Sequence, residues 1–277
     1  MNLAPILIRG GGDLATGVAL RLRRVGLRVV IVELPEPLAV RRMASFSEAV
    51  FEGEIRIEDR VARRVELRQL RNVLRRGDVP VVVDPEARLI LEDEYSVVVD
   101  ARMRKEPPAP LPKRVPLLIG LGPGFLPGQN CDATVETRRG PFMGRVYWTG
   151  AAEPDSGQPD GDPRRVLRAP AAGVLEECLP IASHVSEGSL LARAIMDAAD
   201  ERMDPPIEIR SPLKGVLRGM LRSGTRVQPG LKIGDVDPRD DPRLCFLASD
   251  KSLAVGGGVL EAILAELGKR NLPRDRD

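Results

Sequence analysis

Between residues 168 and 230 the chain repeats itself. Laid over "RSPLKGVLRGMLRSGTRVQPG" (residues 210–230) at a constant offset of 42, "RAPAAGVLEECLPIASHVSEG" (residues 168–188) needs no gap and matches at eight of 21 positions. Pro170/Pro212, Gly173/Gly215, Val185/Val227 and Gly188/Gly230 are among them. Each copy reads as a strand after Pro-x-x-Gly, a second short strand and a glycine turn, too short to bury an apolar face alone. Two copies are therefore expected to close on each other about a pseudo-two-fold axis, giving a small all-β module over residues 165–237.

The first hundred residues follow another rule. "ILIR" is a short buried strand, "LATGVALRLRRVG" carries Leu14, Val18, Leu22 and Val25 on one helical face, and "RVVIVE" is a second continuous apolar strand. Further strands are expected at "VPVVVD" and "SVVVDA". The pattern predicts an α/β fold, a Rossmann-like open sheet over residues 1–104. A Gly/Pro-rich β region (105–164) connects it to the all-β module. A helical region at 245–269, capped by "SD" and opened by Gly256, Gly257 and Gly258, has an apolar stripe free to return to the first domain.

Inventory excludes several functions. Five Phe, two Tyr and one Trp with a net charge of +2 leave little for base stacking or a basic stripe, so no nucleic-acid partner is expected. No apolar run reaches a membrane span and no signal-peptide pattern opens the chain, so the protein reads as cytoplasmic. The single histidine, His184, rules out histidine triads and His-rich metal sites, and no metal is expected. Cys131, Cys178 and Cys245 have no metal-ligand spacing and read as reduced thiols. Cys131, in "GQNCDAT", is the one expected near the surface.

Two glycine loops are the candidate cofactor-binding sites. Gly10, Gly12 and Ala15 fit G-x-G-x-x-(G/A) between a first strand and a first helix, with Gly11 between them. Glu33 closes the second strand where a ribose-binding acid belongs. Asp13 opposes this reading, since its carboxylate lies where a pyrophosphate would rest and offsets the help of the helix dipole; it reads better as an N-cap. The alternative is a tight packed turn with no ligand. Gly122 and Gly124 form the second loop, with no helix after it and only a backbone nest to offer.

Two resemblances add to this. The pattern P-x-x-G-x-(V/L)…V-x-x-G is similar to the halves of biotinyl and lipoyl carrier domains, which implies a barrel-sandwich module. The connection "LLARAIMDAADERMDPPIEI" lacks the lysine a carrier needs, and Lys214 lies in the second copy's turn, so neither biotin nor lipoate attachment is expected. "IRGGGDLATGVALRL", "LPEPLAVRRMASFSEAVFEGE", "IGLGPGFLPGQNCDATVETRRG", "RVLRAPAAGVL", "GVLRGMLRSGTRVQPGLKIGDVDPR" and "SDKSLAVGGGVLEAIL" together resemble the YqeB-type family of selenium-dependent molybdenum hydroxylase maturation proteins. The N-terminal part is also similar to the Rossmann part of XdhC-type molybdenum cofactor chaperones. The resemblance implies an accessory factor that takes the molybdenum cofactor as cargo, or a nucleotide, at Gly10 to Gly12 and docks a client molybdenum hydroxylase. A homo-oligomer is compatible with it, and whether any reaction is catalysed stays open. The alternative is an NAD(P)-dependent oxidoreductase using the same loop and Glu33.

Overall fold

The computed structural model describes residues 4–157, 159, 161–196 and 205–271. It divides into two units: Met1–Pro37, Ser45–Ser156 and Ala248–Asp277 form the first, and Leu38–Ala44 and Gly157–Leu247 the second.

The first unit runs β1 (Ile6–Arg9), α1 (Asp13–Arg24), β2 (Val29–Glu33), α2 (Ala49–Glu52), β3 (Glu54–Ile57), β4 (Arg60–Arg64), α3 (Leu70–Arg76), β5 (Val79–Val83), α4 (Leu89–Glu92), β6 (Val97–Asp100), β7 (Leu118–Leu121), β8 (Ala133–Val135) and β9 (Val146–Tyr147), then the long helix α5 (Asp250–Asn271). Its strands make one nine-stranded sheet in the order β3-β4-β5-β2-β1-β6-β7-β8-β9. Neighbours from β4 to β8 are parallel, and the edge strands β3 and β9 are antiparallel. The central strands are uninterrupted apolar runs because both faces are covered. Ile6, Ile8, Val29 and Ile31 pack under α1 and α5, while Leu7, Val30 and Val98 face Leu70, Val73 and Leu74 of α3.

The seam between α1 and α5 is made of glycine. A Cβ on Gly17 would lie 2.4 Å from the Ser252 carbonyl oxygen, and one on Gly256 2.7 Å from that of Gly17. Gly258 meets the Gly144 carbonyl in the same way, at 2.2 Å. The triple glycine therefore lies inside α5, where it lets backbones touch, and does not open the helix. Ser249 caps α5 instead, its Oγ accepting from the Ser252 amide at 3.0 Å. Among the described residues no helix is long and apolar enough to cross a membrane.

The second unit contains β10 (Val166–Arg168), β11 (Gly173–Glu176), β12 (His184–Val185), β13 (Leu190–Met196), β14 (Ile207–Arg210), β15 (Gly215–Met220), β16 (Arg226–Val227) and β17 (Lys232–Asp237). These form two four-stranded antiparallel sheets, β10-β17-β15-β12 and β14-β13-β11-β16. The copies exchange their shortest strands: β12 of the first pairs with β15 of the second, and β16 of the second with β11 of the first. Leu175, Leu191, Leu217, Val227 and Ile233 fill the interior. Asp235, fully buried, accepts from Arg218 at 2.6 Å and is bonded by Arg165; Asp237 accepts from Arg218 at 3.2 Å and Arg239 at 2.5 Å. His184 is exposed on β12, 2.8 Å from Asp240.

The expected fold class is corrected in both parts. The first unit is a mixed sheet in place of a Rossmann-like open sheet. Its antiparallel edges come from segments that carry no strand periodicity clear enough to read, and β7 and β8 are parallel neighbours with no helix between them. The Phe125 ring from the connection between them lies against Gly120, where an added Cβ would meet ring carbon Cγ at 2.0 Å. The second unit is two discrete antiparallel sheets in place of a biotinyl/lipoyl-like barrel-sandwich, each with one strand, β10 or β14, lying partly outside the matched segments and one, β17 or β13, wholly outside them. The connection searched for a carrier lysine falls partly on residues 197–204, outside the described residues.

Candidate functional site

Along the parallel strands of an α/β sheet, ligands collect beyond the carboxyl ends where successive connections leave in opposite directions. Here that point lies between β1 and β6: from β1 the chain goes to β2 on one side, and from β6 to β7 on the other. Register pairs the last residue of β1, Arg9, with the last of β6, Asp100. Two buried apolar strands thus end side by side in opposite charges. By strand alternation Arg9 shares the face of Leu7, opposite the helices α1 and α5.

On that face α3 packs over the β5 and β2 side, but the proline-rich stretch at 105–116 is the cover over β6 and β7. Beneath it lies a cavity of about 530 Å³, floored by Arg9, Asp100 and Leu118, roofed by Leu111 and Val115, and walled by Phe125 and Cys131. Its size is that of a small-molecule site. A second, apolar-to-acidic cavity of about 460 Å³ lies beyond β4 and β5, where Asp84 accepts from the Arg88 and Leu89 amides.

The charges on the floor of the first cavity are unevenly matched. Asp100, 1% exposed, takes a bidentate fork from Arg102, with Nε at 2.9 Å and Nη2 at 2.6 Å. Arg9, 7% exposed, reaches the same carboxylate through one bond, Nη1 to Oδ2 at 3.3 Å. Charge-assisted bonds ordinarily run about 2.7–2.9 Å, so this contact is loose. No other hydrogen bond of the Arg9 guanidinium occurs among the described residues, which leaves most of its five N–H donors unspent. Burial pulls the Arg9 pKa down, partly offset by Asp100 and reinforced by Arg102, yet arginine keeps its proton. Cys131 is a buried thiol, pushed up to about 12 by burial and then by Asp132.

The glycine loop at the start of α1 is occupied by the protein itself. Gly10, at φ +91°, rests against Ala101 and the stem of Arg102 and donates to the Val32 carbonyl at 2.8 Å. The Gly11 amide donates to Glu33 Oε2 at 2.5 Å, while the Leu34 amide donates to Oε1 at 2.7 Å. Burial pushes the Glu33 carboxyl up and these two amides pull it part of the way back. The far side of Gly11 is closed by Ser47, whose amide donates to the Gly11 carbonyl. Gly12, with open space around it, is the N-cap in an extended conformation, so Asp13 is the first helical residue and not the cap. Gly122 and Gly124 lie on the other side of the segment that Gly10 touches. Gly122 faces Met103, and Gly124 is closed by the Arg104 and Glu106 carbonyls and donates to the former at 2.9 Å. The structure thus gathers both loops around residues 101–106 but spends the Gly11 and Gly124 amides on internal partners. Among the described residues no three His, Cys, Asp or Glu side chains converge to hold a metal ion.

No family model matches the sequence. A curated relative, "Uncharacterized protein YqeB" of Escherichia coli K12, is 39% identical over 264 residues, covering 94% of this chain and 47% of that protein. The chain spans about half the length of the curated relative it matches. Among solved structures, an aspartoacylase family protein from Mesorhizobium loti aligns over 85% of both chains at 16% identity and a TM-score of 0.28. A succinylglutamate desuccinylase from Silicibacter aligns over 85% of both at 14% identity and a TM-score of 0.26. Scores this low carry no argument about fold or activity.

These findings correct the resemblance and the function it implied. The relative is described as uncharacterized, so it brings no molybdenum or selenium role to this chain, and the XdhC-type likeness finds no counterpart among the proteins named above. A maturation factor holding a nucleotide or molybdenum cofactor at Gly10 to Gly12 is withdrawn. The NAD(P) oxidoreductase goes with it, because the Glu33 carboxylate meant for a ribose is committed to the Gly11 and Leu34 amides.

Arg9 is the candidate residue that the sequence alone does not single out. In a chain so rich in arginine a single one carries no signal, but its position does: "ILIR" and "VVVD" are buried strands that each end on a charge.

Proposed function

We propose that the first unit binds a small anionic molecule, a carboxylate or phosphate, in the cavity beneath the proline-rich cover, with Arg9 as the residue that holds it. One observation supports this reading above all: a buried arginine, 7% exposed, at the switch point of the sheet, with a single 3.3 Å bond to a carboxylate that already has a better partner. A buried cation left short of acceptors is costly, and such a group is retained where an incoming anion completes its hydrogen bonds. The planar fork suits the two oxygens of a carboxylate or phosphate. The same reading takes the compartment to be the cytoplasm, supported by three unpaired cysteines, Cys131, Cys178 and Cys245.

Thermal unfolding with inorganic phosphate, sulfate, acetate and benzoate tests it. An anion at a hundredfold excess over its Kd raises Tm of the natural chain by about 5–10 °C, and leaves Arg9→Met unmoved. Equal shifts in both proteins, or none with any of the four, overturn the reading.

A further inference from the structure

The mouth of the same cavity carries positive charge that a single head group at Arg9 does not use. Lys113 and Arg114 line it from the proline-rich cover, and neither makes a hydrogen bond or ion pair among the described residues. Neither carboxylate of the lining, Asp100 or Asp132, is in an ion pair with them. Asp100 is bonded by Arg102 and Arg9, and Asp132 Oδ2 accepts from the Leu118 amide at 2.6 Å. The apolar part of the lining is Leu111, Val115, Leu118 and Phe125, and Gln129, Asn130 and Asp132 line it beside them.

Resting on the reading of Arg9 as the head-group site, we infer that the ligand is a dianion with an apolar body. One anionic group takes the Arg9 fork on the floor, the body lies against Leu118 and Val115, and the second anionic group meets Lys113 and Arg114 at the mouth. A monoanion of the same shape would leave the mouth unsatisfied, so the second charge is what the cover recognises. The second contact is the more exposed, so it is screened by salt and adds less than the first.

Isothermal titration of the full chain with benzoate and isophthalate, and with valerate and adipate, separates the two claims. Isophthalate is expected to bind about fivefold or more tightly than benzoate, and adipate than valerate, at low salt. In the Lys113→Gln/Arg114→Gln double variant that ratio falls to near one, and 0.5 M salt reduces it in the natural chain. A dianion no tighter than its monoanion, with both lost in Arg9→Met, overturns the second contact and leaves the head-group site standing. Binding that Arg9→Met does not weaken, or no measurable binding of any of the four, overturns the reading on which both rest.

Discussion

At the scale of single residues, adjacent glycines do different work. Gly11→Ala drives a Cβ to 2.9 Å from the Ser47 amide nitrogen, backbone that cannot yield, whereas Gly12→Ala enters open space at an ordinary φ of −68°. Urea unfolding is expected to show a loss of about 1–3 kcal/mol for the first and under about 0.5 kcal/mol for the second. Equal losses would mean that the loop is not held by Ser47. The strand, glycine turn and helix of residues 6–24 were legible because the apolar run, the glycines and the 3.6-residue period agree. What the turn does was not, because the pattern is the same whether the Gly11 amide meets a phosphate or Glu33. Arg9 was illegible for another reason: its unspent donors are defined by what Arg102 does at Asp100, 91 residues along the chain.

At the scale of elements, α5 shows how a glycine run can be packing and not a loop. Gly256 and Gly258 each face a backbone carbonyl across a helix or a turn, and Gly257 between them faces nothing within 4 Å. Gly257→Ala is expected to gain up to about 1 kcal/mol from helix propensity, while Gly256→Ala and Gly258→Ala lose about 1–3 kcal/mol from overpacking. Thermal melts of the three variants check this; a gain at all three would mean that the helices do not touch at these positions. The apolar stripe of this helix is readable from spacing, but its start is not, since three glycines suggest an end when the surface they meet is unseen. The proline-rich stretch was read as a connector for a similar reason. Composition shows that it is not a helix or central strand, and only the sheet beneath it shows that it roofs a cavity.

At the scale of the whole molecule, two buried acids shift the pH dependence in opposite senses. Burial pushes Asp237 up, but the bonds from Arg239 and the charge of Arg218 outweigh it and hold the carboxyl at about 2, below its ordinary 3.8. Its stabilisation is present above about 3.8 and is lost as pH falls toward 2. Glu33 is raised, so its contribution is present below its ordinary 4.5 and is lost as pH rises through its folded value. Urea midpoints against pH should lose part of their acid limb in Asp237→Asn, and part of their decline above about pH 4.5 in Glu33→Gln. Unchanged profiles would contradict both assignments. The repeat foretold that two copies combine, yet how their strands divide between two sheets depends on pairings such as β12 with β15 that no single segment encodes.

Urea unfolding of Arg9→Met without any added anion tests most directly that Arg9 is kept for a ligand and not for the fold. Asp100 retains its fork from Arg102 in this variant. The predicted result is stability equal to or above that of the natural chain, because an under-bonded buried charge has been replaced by an apolar side chain. A loss of about 3 kcal/mol or more, the cost of breaking a structural buried ion pair, would contradict it.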